Sequence, residues 1–231
     1  SISTEKYNLL KSGFLMARGF AYNYNQSEFY VIDASNRQLW SFEFNQTSQT
    51  LNESGQVLIN DLPHDSRSIA FDWITNKLYL LSSERLIVCD VKGHNRLVLL
   101  NETVIQEGTG LTIDPKVGYL FFTDWHYPPY IGRISLDGRN FTKIITQELG
   151  APIALTIDTI TKRIFWTDTH LKRIEFSSYN GRNRYVVMSG LAYPFALAFF
   201  NGRLYWTDRS NHSIFSANAL SGQNETIIQR G

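Results

Sequence analysis

The segment Arg203-Leu204-Tyr205-Trp206-Thr207-Asp208 recurs along the chain in imperfect copies, and the spacing of those copies is its strongest constraint on fold. The copies are Lys162-Arg163-Ile164-Phe165-Trp166-Thr167-Asp168, Leu120-Phe121-Phe122-Thr123-Asp124, Leu78-Tyr79-Leu80-Leu81-Ser82 and Phe29-Tyr30-Val31-Ile32-Asp33. Their closing positions, Asp33, Ser82, Asp124, Asp168 and Asp208, lie 49, 42, 44 and 40 residues apart. That is the period at which one four-stranded propeller blade repeats.

Each copy has the same surroundings. An apolar stretch precedes it, as in Gly110-Leu111-Thr112-Ile113-Asp114 and Ala154-Leu155-Thr156-Ile157-Asp158, and reads as the innermost strand of a blade. An alternating run follows, such as Arg173-Ile174-Glu175-Phe176-Ser177, whose period of two suits a strand with one buried face. The run ends at Lys92-Gly93-His94-Asn95, Asp137-Gly138-Arg139-Asn140, Asn180-Gly181-Arg182-Asn183 or Ser221-Gly222-Gln223-Asn224, where glycine supplies the positive φ of a tight hairpin. A blade of about 40 residues cannot stand alone. Phe121, Phe122, Phe165, Trp166, Tyr205 and Trp206 are therefore expected to pack between neighbouring blades rather than to line a ligand site.

Tyr205-Trp206-Thr207-Asp208 and its relatives resemble the YWTD repeats of low-density lipoprotein receptor family propellers, and the resemblance covers essentially the whole chain. Phe71-Asp72-Trp73-Ile74-Thr75-Asn76 and Leu111-Thr112-Ile113-Asp114-Pro115 are most similar to a propeller of the large LDL receptor-related proteins. The resemblance implies an all-β, six-bladed propeller of four-stranded antiparallel blades. It also implies that the motif Asp bonds a basic residue on the next strand, as Asp124 with Arg133 and Asp168 with Arg173 would; Asp33 and Asp208 complete the structural set, and Ser82 departs from it.

Only five motifs are found, so one blade is expected to be incomplete in this chain. One domain spans 1–231, with 1–12 as the outer strand of an incomplete first blade. The other blades fall at about 14–60, 65–101, 108–147, 151–189 and 193–230. Either a segment outside this sequence completes the ring, or the usual closure is altered.

Composition narrows the function classes. With 22 basic and 21 acidic residues the net charge is +1, which leaves no electrostatic footprint for nucleic acid. No apolar run reaches transmembrane length, and residues 1–30 lack the charged start and apolar core of a signal peptide, so the chain reads as an ectodomain piece. Any membrane attachment is expected through an anchor outside this chain. The triplet Asn-x-Ser/Thr begins at Asn25, Asn45, Asn52, Asn101, Asn140, Asn211 and Asn224. The 17 asparagines and 37 serines plus threonines would form about three such triplets by chance. The excess points to N-glycosylation and to the secretory pathway, hence to an extracellular, cell-surface and endosomal setting. Cys89 has no internal partner and reads as a buried small hydrophobe, with a bridge to a neighbouring module or a reactive thiol as alternatives.

No phosphate loop, nucleophile elbow or metal-spaced histidine pair is present, so no catalytic residue, metal or cofactor is expected. Binding is looked for in the loops between second and third strands. Trp125, His126, Tyr127 and Tyr130 form an aromatic cluster beside Pro128 and Pro129, of the residue types enriched in protein-binding hot spots. The plainer alternative is that the prolines merely pack this loop on its neighbour. His170, Arg209, Asn211 and His212 occupy the matching loops, and the resemblance adds Arg18, Asp65, Arg67, Tyr193 and Phe195 on the same face.

Three histidines in one type of loop would gain charge between the cell surface and an acidified endosome, and the resemblance implies ligand release at low pH. The leading expectation is a noncatalytic propeller of an endocytic receptor, whose partners are protein ligands and neighbouring cysteine-rich receptor modules. The alternatives are a docking platform of the extracellular matrix or of a signalling co-receptor, and a metal-dependent propeller hydrolase.

Overall fold

The computed structural model describes residues 13–48, 50–51 and 55–230, and these form five antiparallel sheets in chain order. The first blade contains β1 (Ala17–Asn23), β2 (Glu28–Asp33), β3 (Gln38–Asn45), the short β4 (Thr50–Leu51) and β5 (Gln56–Ile59), with β4 and β5 both pairing along β3. The second contains β6 (Ser66–Asp72), β7 (Lys77–Ser82), β8 (Leu86–Asp90) and β9 (Leu97–Leu100). The third contains β10 (Gly108–Asp114), β11 (Tyr119–Asp124), β12 (Tyr130–Ser135) and β13 (Thr142–Ile145). The fourth contains β14 (Pro152–Asp158), β15 (Arg163–Asp168), β16 (Arg173–Ser178) and β17 (Tyr185–Ser189). The fifth contains β18 (Pro194–Phe200), β19 (Arg203–Asp208), β20 (Ser213–Asn218) and β21 (Thr226–Arg230).

Every motif copy is the second strand of its sheet. In β11 and β15 all positions after the first are buried, because a neighbouring blade covers each face of the strand. The core accordingly lies between blades. Tyr30, Ile32 and Leu39 pack with Ile69, Phe71 and Leu78 across the first junction, and Phe121 and Ile131 pack with Leu155, Ile164 and Trp166 across the third. Burying one such side chain contributes about 1.5–3 kcal/mol, so the junctions carry most of the cohesion.

The hairpin glycines meet their expectation. Gly181 adopts φ 79°, and a Cβ there would sit 2.0 Å from the Ile144 carbonyl oxygen of the preceding blade.

The expectation of six blades is overturned: the described residues form five. Inner strands β1, β6, β10, β14 and β18 pack in succession, but no comparable packing joins β18 back to β1. Each motif copy yields one sheet, and five copies yield five; the sixth had come from the resemblance and not from a sixth motif. The two end sheets expose apolar side chains to match, with Phe20 73% and Phe200 71% exposed. The strand expected in residues 1–12 lies outside the described residues.

Candidate functional site

The loops between second and third strands share an edge of each sheet with the linkers that enter the blade, and the motif aspartates hold the two together. Asp124 accepts amides from Gln106 and Glu107 of the incoming linker at 2.9 and 3.1 Å, and from His126 of its own loop at 2.9 Å. Asp168 takes Gly150, Ala151 and Leu171 in the same way, at 2.7, 3.0 and 2.8 Å. Asp33 accepts Leu15 and Met16, and Asp208 accepts Tyr193, Ser210 and Asn211. Bonds from several N–H groups to one carboxylate are charge-assisted and fix the loop's exit direction.

This arrangement corrects the expected pairing with basic residues. Arg133 donates to the Tyr179 carbonyl at 3.3 Å and lies over the Tyr119 ring, while Arg173 binds Glu175 at 2.8 Å and the Glu148 carbonyl at 2.8 Å. The aspartates are already satisfied by backbone amides, and the arginines serve the neighbouring blade and the buried Glu175. At the departing position, the Ser82 hydroxyl exchanges bonds with Arg85, and the Ser83 amide donates to the Asp65 carbonyl at 3.3 Å.

On the loop face, Trp125 is 41% and Tyr127 86% exposed, and His126 beside them is exposed too. Tyr130 is not part of that surface. It is 3% exposed, donates its hydroxyl to the Val104 carbonyl at 2.7 Å, and carries Lys143 over its ring, so it anchors the loop from below. His170, Arg209, Asn211 and His212 are exposed on the two following blades, and the Arg209 guanidinium stacks on Phe195, 3.4 Å from the ring centre. Tyr193 is 39% exposed nearby.

A second group lies at the start of the inner strands. Asp65 pairs with both Arg18 and Arg67, and Arg67 also reaches the Gly108 carbonyl at 3.3 Å and the Thr109 hydroxyl at 3.2 Å. Its contact with Glu107, at 2.8 Å, is a charge contact without the alignment of a hydrogen bond. Burial raises the Asp65 carboxyl, but the hydrogen bonds and charges of Arg67 and Arg18 outweigh it and hold it below its ordinary range. The chain thus brings charged Arg18, Asp65 and Arg67 into one network across the first three blades. Glu107 connects this network to the Trp125 loop, since its carboxylate lies 2.8 Å from Arg67 and its carbonyl accepts the Trp125 amide at 3.4 Å.

Asn25, Asn45, Asn101, Asn140, Asn211 and Asn224 are exposed, and Asn52 lies outside the described residues. Cys89 is 2% exposed, and burial pushes its thiol up to about 12, with the Asp90 charge adding to the effect. Among the described residues no three His, Cys, Asp or Glu side chains gather as a metal-binding group.

Sequence reasoning missed the motif threonines. Thr123 donates to the Ile153 carbonyl at 2.8 Å and Thr167 to the Phe195 carbonyl at 3.0 Å, each tying its blade to the inner strand of the next. The Thr-Asp pair repeated at positions 123, 167 and 207 was the available signal.

Residues 118–159 and 202–230 match the low-density lipoprotein receptor repeat class B family. The vitellogenin receptor Yl of Drosophila melanogaster is 32% identical over 173 residues, which are 74% of this chain and 8% of that protein. The vitellogenin receptor of Solenopsis invicta is 30% identical over 165 residues, 70% of this chain and 9% of that protein. The chain therefore spans less than a tenth of the curated relatives it matches. Among solved structures, one from a nidogen/laminin complex superposes with a TM-score of 0.82 at 25% identity, covering 92% of this chain and 78% of that one. A gluconolactonase from Xanthomonas campestris, at 14% identity and a TM-score of 0.72 over 91% of this chain and 75% of its own, shares the fold alone.

Proposed function

Because this chain is a YWTD propeller, built of low-density lipoprotein receptor class B repeats, we propose that it is a noncatalytic binding module of a receptor ectodomain, engaging protein partners through its loop face and releasing them in acid. The observation that carries this reading is the exposed Trp125 and Tyr127 pair beside His126, on a loop stiffened beneath by the buried Tyr130. Large aromatic side chains held rigidly in water are the usual anchors of protein interfaces. The natural partners are protein ligands and the cysteine-rich modules of the same receptor.

His126, His170 and His212 are exposed in the same loop type on successive blades. We place the acid-dependent release on this histidine-bearing rim, to be judged by binding at about pH 7.4 and about pH 5.5. The test uses an immobilised cysteine-rich ligand module and measures affinity at both pH values. Trp125→Ala with Tyr127→Ala should weaken binding at least tenfold at neutral pH, and replacing the three histidines by alanine should abolish the pH dependence. Unchanged affinity in the first variant removes the loop face. Unchanged pH dependence in the second removes the switch.

A second reading, a rigid matrix or signalling platform, is supported by the likeness to a chain of a nidogen/laminin complex over nearly the whole length. Acid-stable binding of a laminin fragment, with no binding of the receptor module, would favour it. The glycosylation reading is tested by mass spectrometry of secreted protein, with sugar expected on Asn25, Asn45, Asn52, Asn101, Asn140, Asn211 and Asn224.

A further inference from the structure

The motif copies differ at the position before their closing residue, which reads Ile32, Leu81, Thr123, Thr167 and Thr207 along the chain. At the third and fourth junctions the threonine hydroxyl crosses to the next inner strand, Thr123 to the Ile153 carbonyl and Thr167 to the Phe195 carbonyl. Isoleucine and leucine have no hydroxyl to offer. At the first and second junctions an arginine near the start of the inner strand crosses instead, Arg18 of β1 to Asp65, and Arg67 of β6 to Gly108, Thr109 and Glu107.

The second of these crossings reaches the segment that holds the Trp125 loop. The Glu107 amide donates to Asp124 at 3.1 Å, and its carbonyl accepts the Thr109 hydroxyl at 3.2 Å and the Trp125 amide at 3.4 Å. The Thr109 hydroxyl therefore relays the contact, accepting from Arg67 at 3.2 Å and donating to the carbonyl that also receives Trp125.

Charge reinforces the link. Arg67 is only 15% exposed, and its Nη2 faces two carboxylates at once, those of Asp65 and Glu107. Asp65 has a second cation in Arg18. Among the described residues Arg67 is the one cation within ion-pair distance of Glu107. A planar guanidinium can serve two carboxylates, a carbonyl and a hydroxyl together; a point charge cannot.

We propose that Arg67 is the positioning residue of the loop carrying Trp125 and Tyr127, so that blade two sets how blade three presents its exposed aromatic pair. Without Arg67 the Asp65 and Glu107 carboxylates repel one another and the bonds to Gly108 and Thr109 are lost. Glu107 then moves, and with it the carbonyl that receives the Trp125 amide. A loop that holds its binding pose for only a fraction of the time binds more weakly by that fraction. The inference rests on the loop-face reading for this consequence in binding; the positioning itself is read without a partner.

The test compares the ¹⁵N spectrum of the protein with that of Arg67→Met. The Trp125 indole and Glu107 amide signals are expected to shift and broaden, while the indoles of Trp166 and Trp206, buried in other junctions, hold their places. Affinity for the immobilised cysteine-rich ligand module at neutral pH should fall about three- to tenfold, mostly through slower association. Adding Glu107→Gln should recover at least half of that loss, because no unpaired carboxylate then remains. Should Arg67→Met fail to fold, Arg67→Lys carries the test and should move the same two signals by less. An unmoved Trp125 indole in the variant that folds, equal shifts at Trp166 and Trp206, or a double variant that binds no better than Arg67→Met would overturn the proposal. A moved Trp125 indole with unaltered affinity supports the positioning and counts against the loop-face reading, which Trp125→Ala with Tyr127→Ala tests by itself.

Discussion

Lys162 of blade four places its Nζ 2.8 Å from the carboxylate of Asp114 in blade three, and the Tyr179 hydroxyl donates to the same oxygen at 2.9 Å. Asp114 is completely buried, whereas Lys162 is 41% exposed. The junction is therefore an anchored carboxylate with one partner held inside and another reaching in from solvent.

Removing the buried member leaves two stranded donors, and removing the exposed member leaves a carboxylate still bound by Tyr179. Asp114→Ala is expected to cost about 3 kcal/mol. Lys162→Met should cost no more than about 1 kcal/mol, since half-exposed pairs are screened by solvent. Urea unfolding of the two variants measures the difference; equal losses would contradict the asymmetry.

Stability should respond to acid late. Burial raises the Asp114 carboxyl, but the bonds from Lys162 and Tyr179 outweigh it and hold it below its ordinary 3.8, and Asp65 behaves likewise beside Arg67 and Arg18. Because the folded-state values lie below the unfolded ones, this stabilisation is complete above the unfolded value and is lost as pH falls through the folded value. The melting temperature should therefore show no loss from these two carboxylates between about pH 7.5 and 5 and should decline below about pH 4. Early loss that Asp114→Asn abolishes would contradict this assignment.

Cys89 should be inert while the chain is folded. Its thiol is pushed up to about 12 by burial and by Asp90, so the reactive thiolate is scarce at neutral pH. A thiol-reactive chromophore added at pH 8 should label the native protein at least a hundredfold more slowly than the urea-unfolded protein. Comparable rates would place the thiol at the surface.

Gly181 is the glycine least able to change. It combines φ 79° with a backbone oxygen 2.0 Å from where a Cβ would stand. Gly181→Ala should destabilise by about 2–3 kcal/mol, while Gly202→Ala, with φ 75° but open space, should cost about 1 kcal/mol. Thermal unfolding of both variants separates backbone conformation from collision.

The sheets themselves were legible because a motif spaced at blade length carries its period in the sequence, and Trp166 or Phe121 announces an inter-blade position by its bulk. The partners of the motif aspartates were not. Their amide donors sit 15–18 residues earlier in linkers that share no letters, so spacing gave no reason to pair Asp168 with Gly150 rather than with Arg173. Tyr130 was misplaced for a related reason. An aromatic residue at a loop's end looks the same in sequence whether it faces water or begins the next strand. The Arg18, Asp65 and Arg67 grouping was foreseen only through resemblance, and its ion pairs emerged from the way three inner strands converge. The blade count failed where the resemblance supplied a number that the five motifs did not contain.

Among the described residues the inner strands pack each on the next, so the third blade shares a junction on both sides whereas the first and fifth each share one. Opening at either extremity breaks one junction, whereas opening in the middle must break two. Amide exchange should thus be slowest in β10 and β11 and quicken outward toward β1 and β21, which makes the third blade the keystone of the structure.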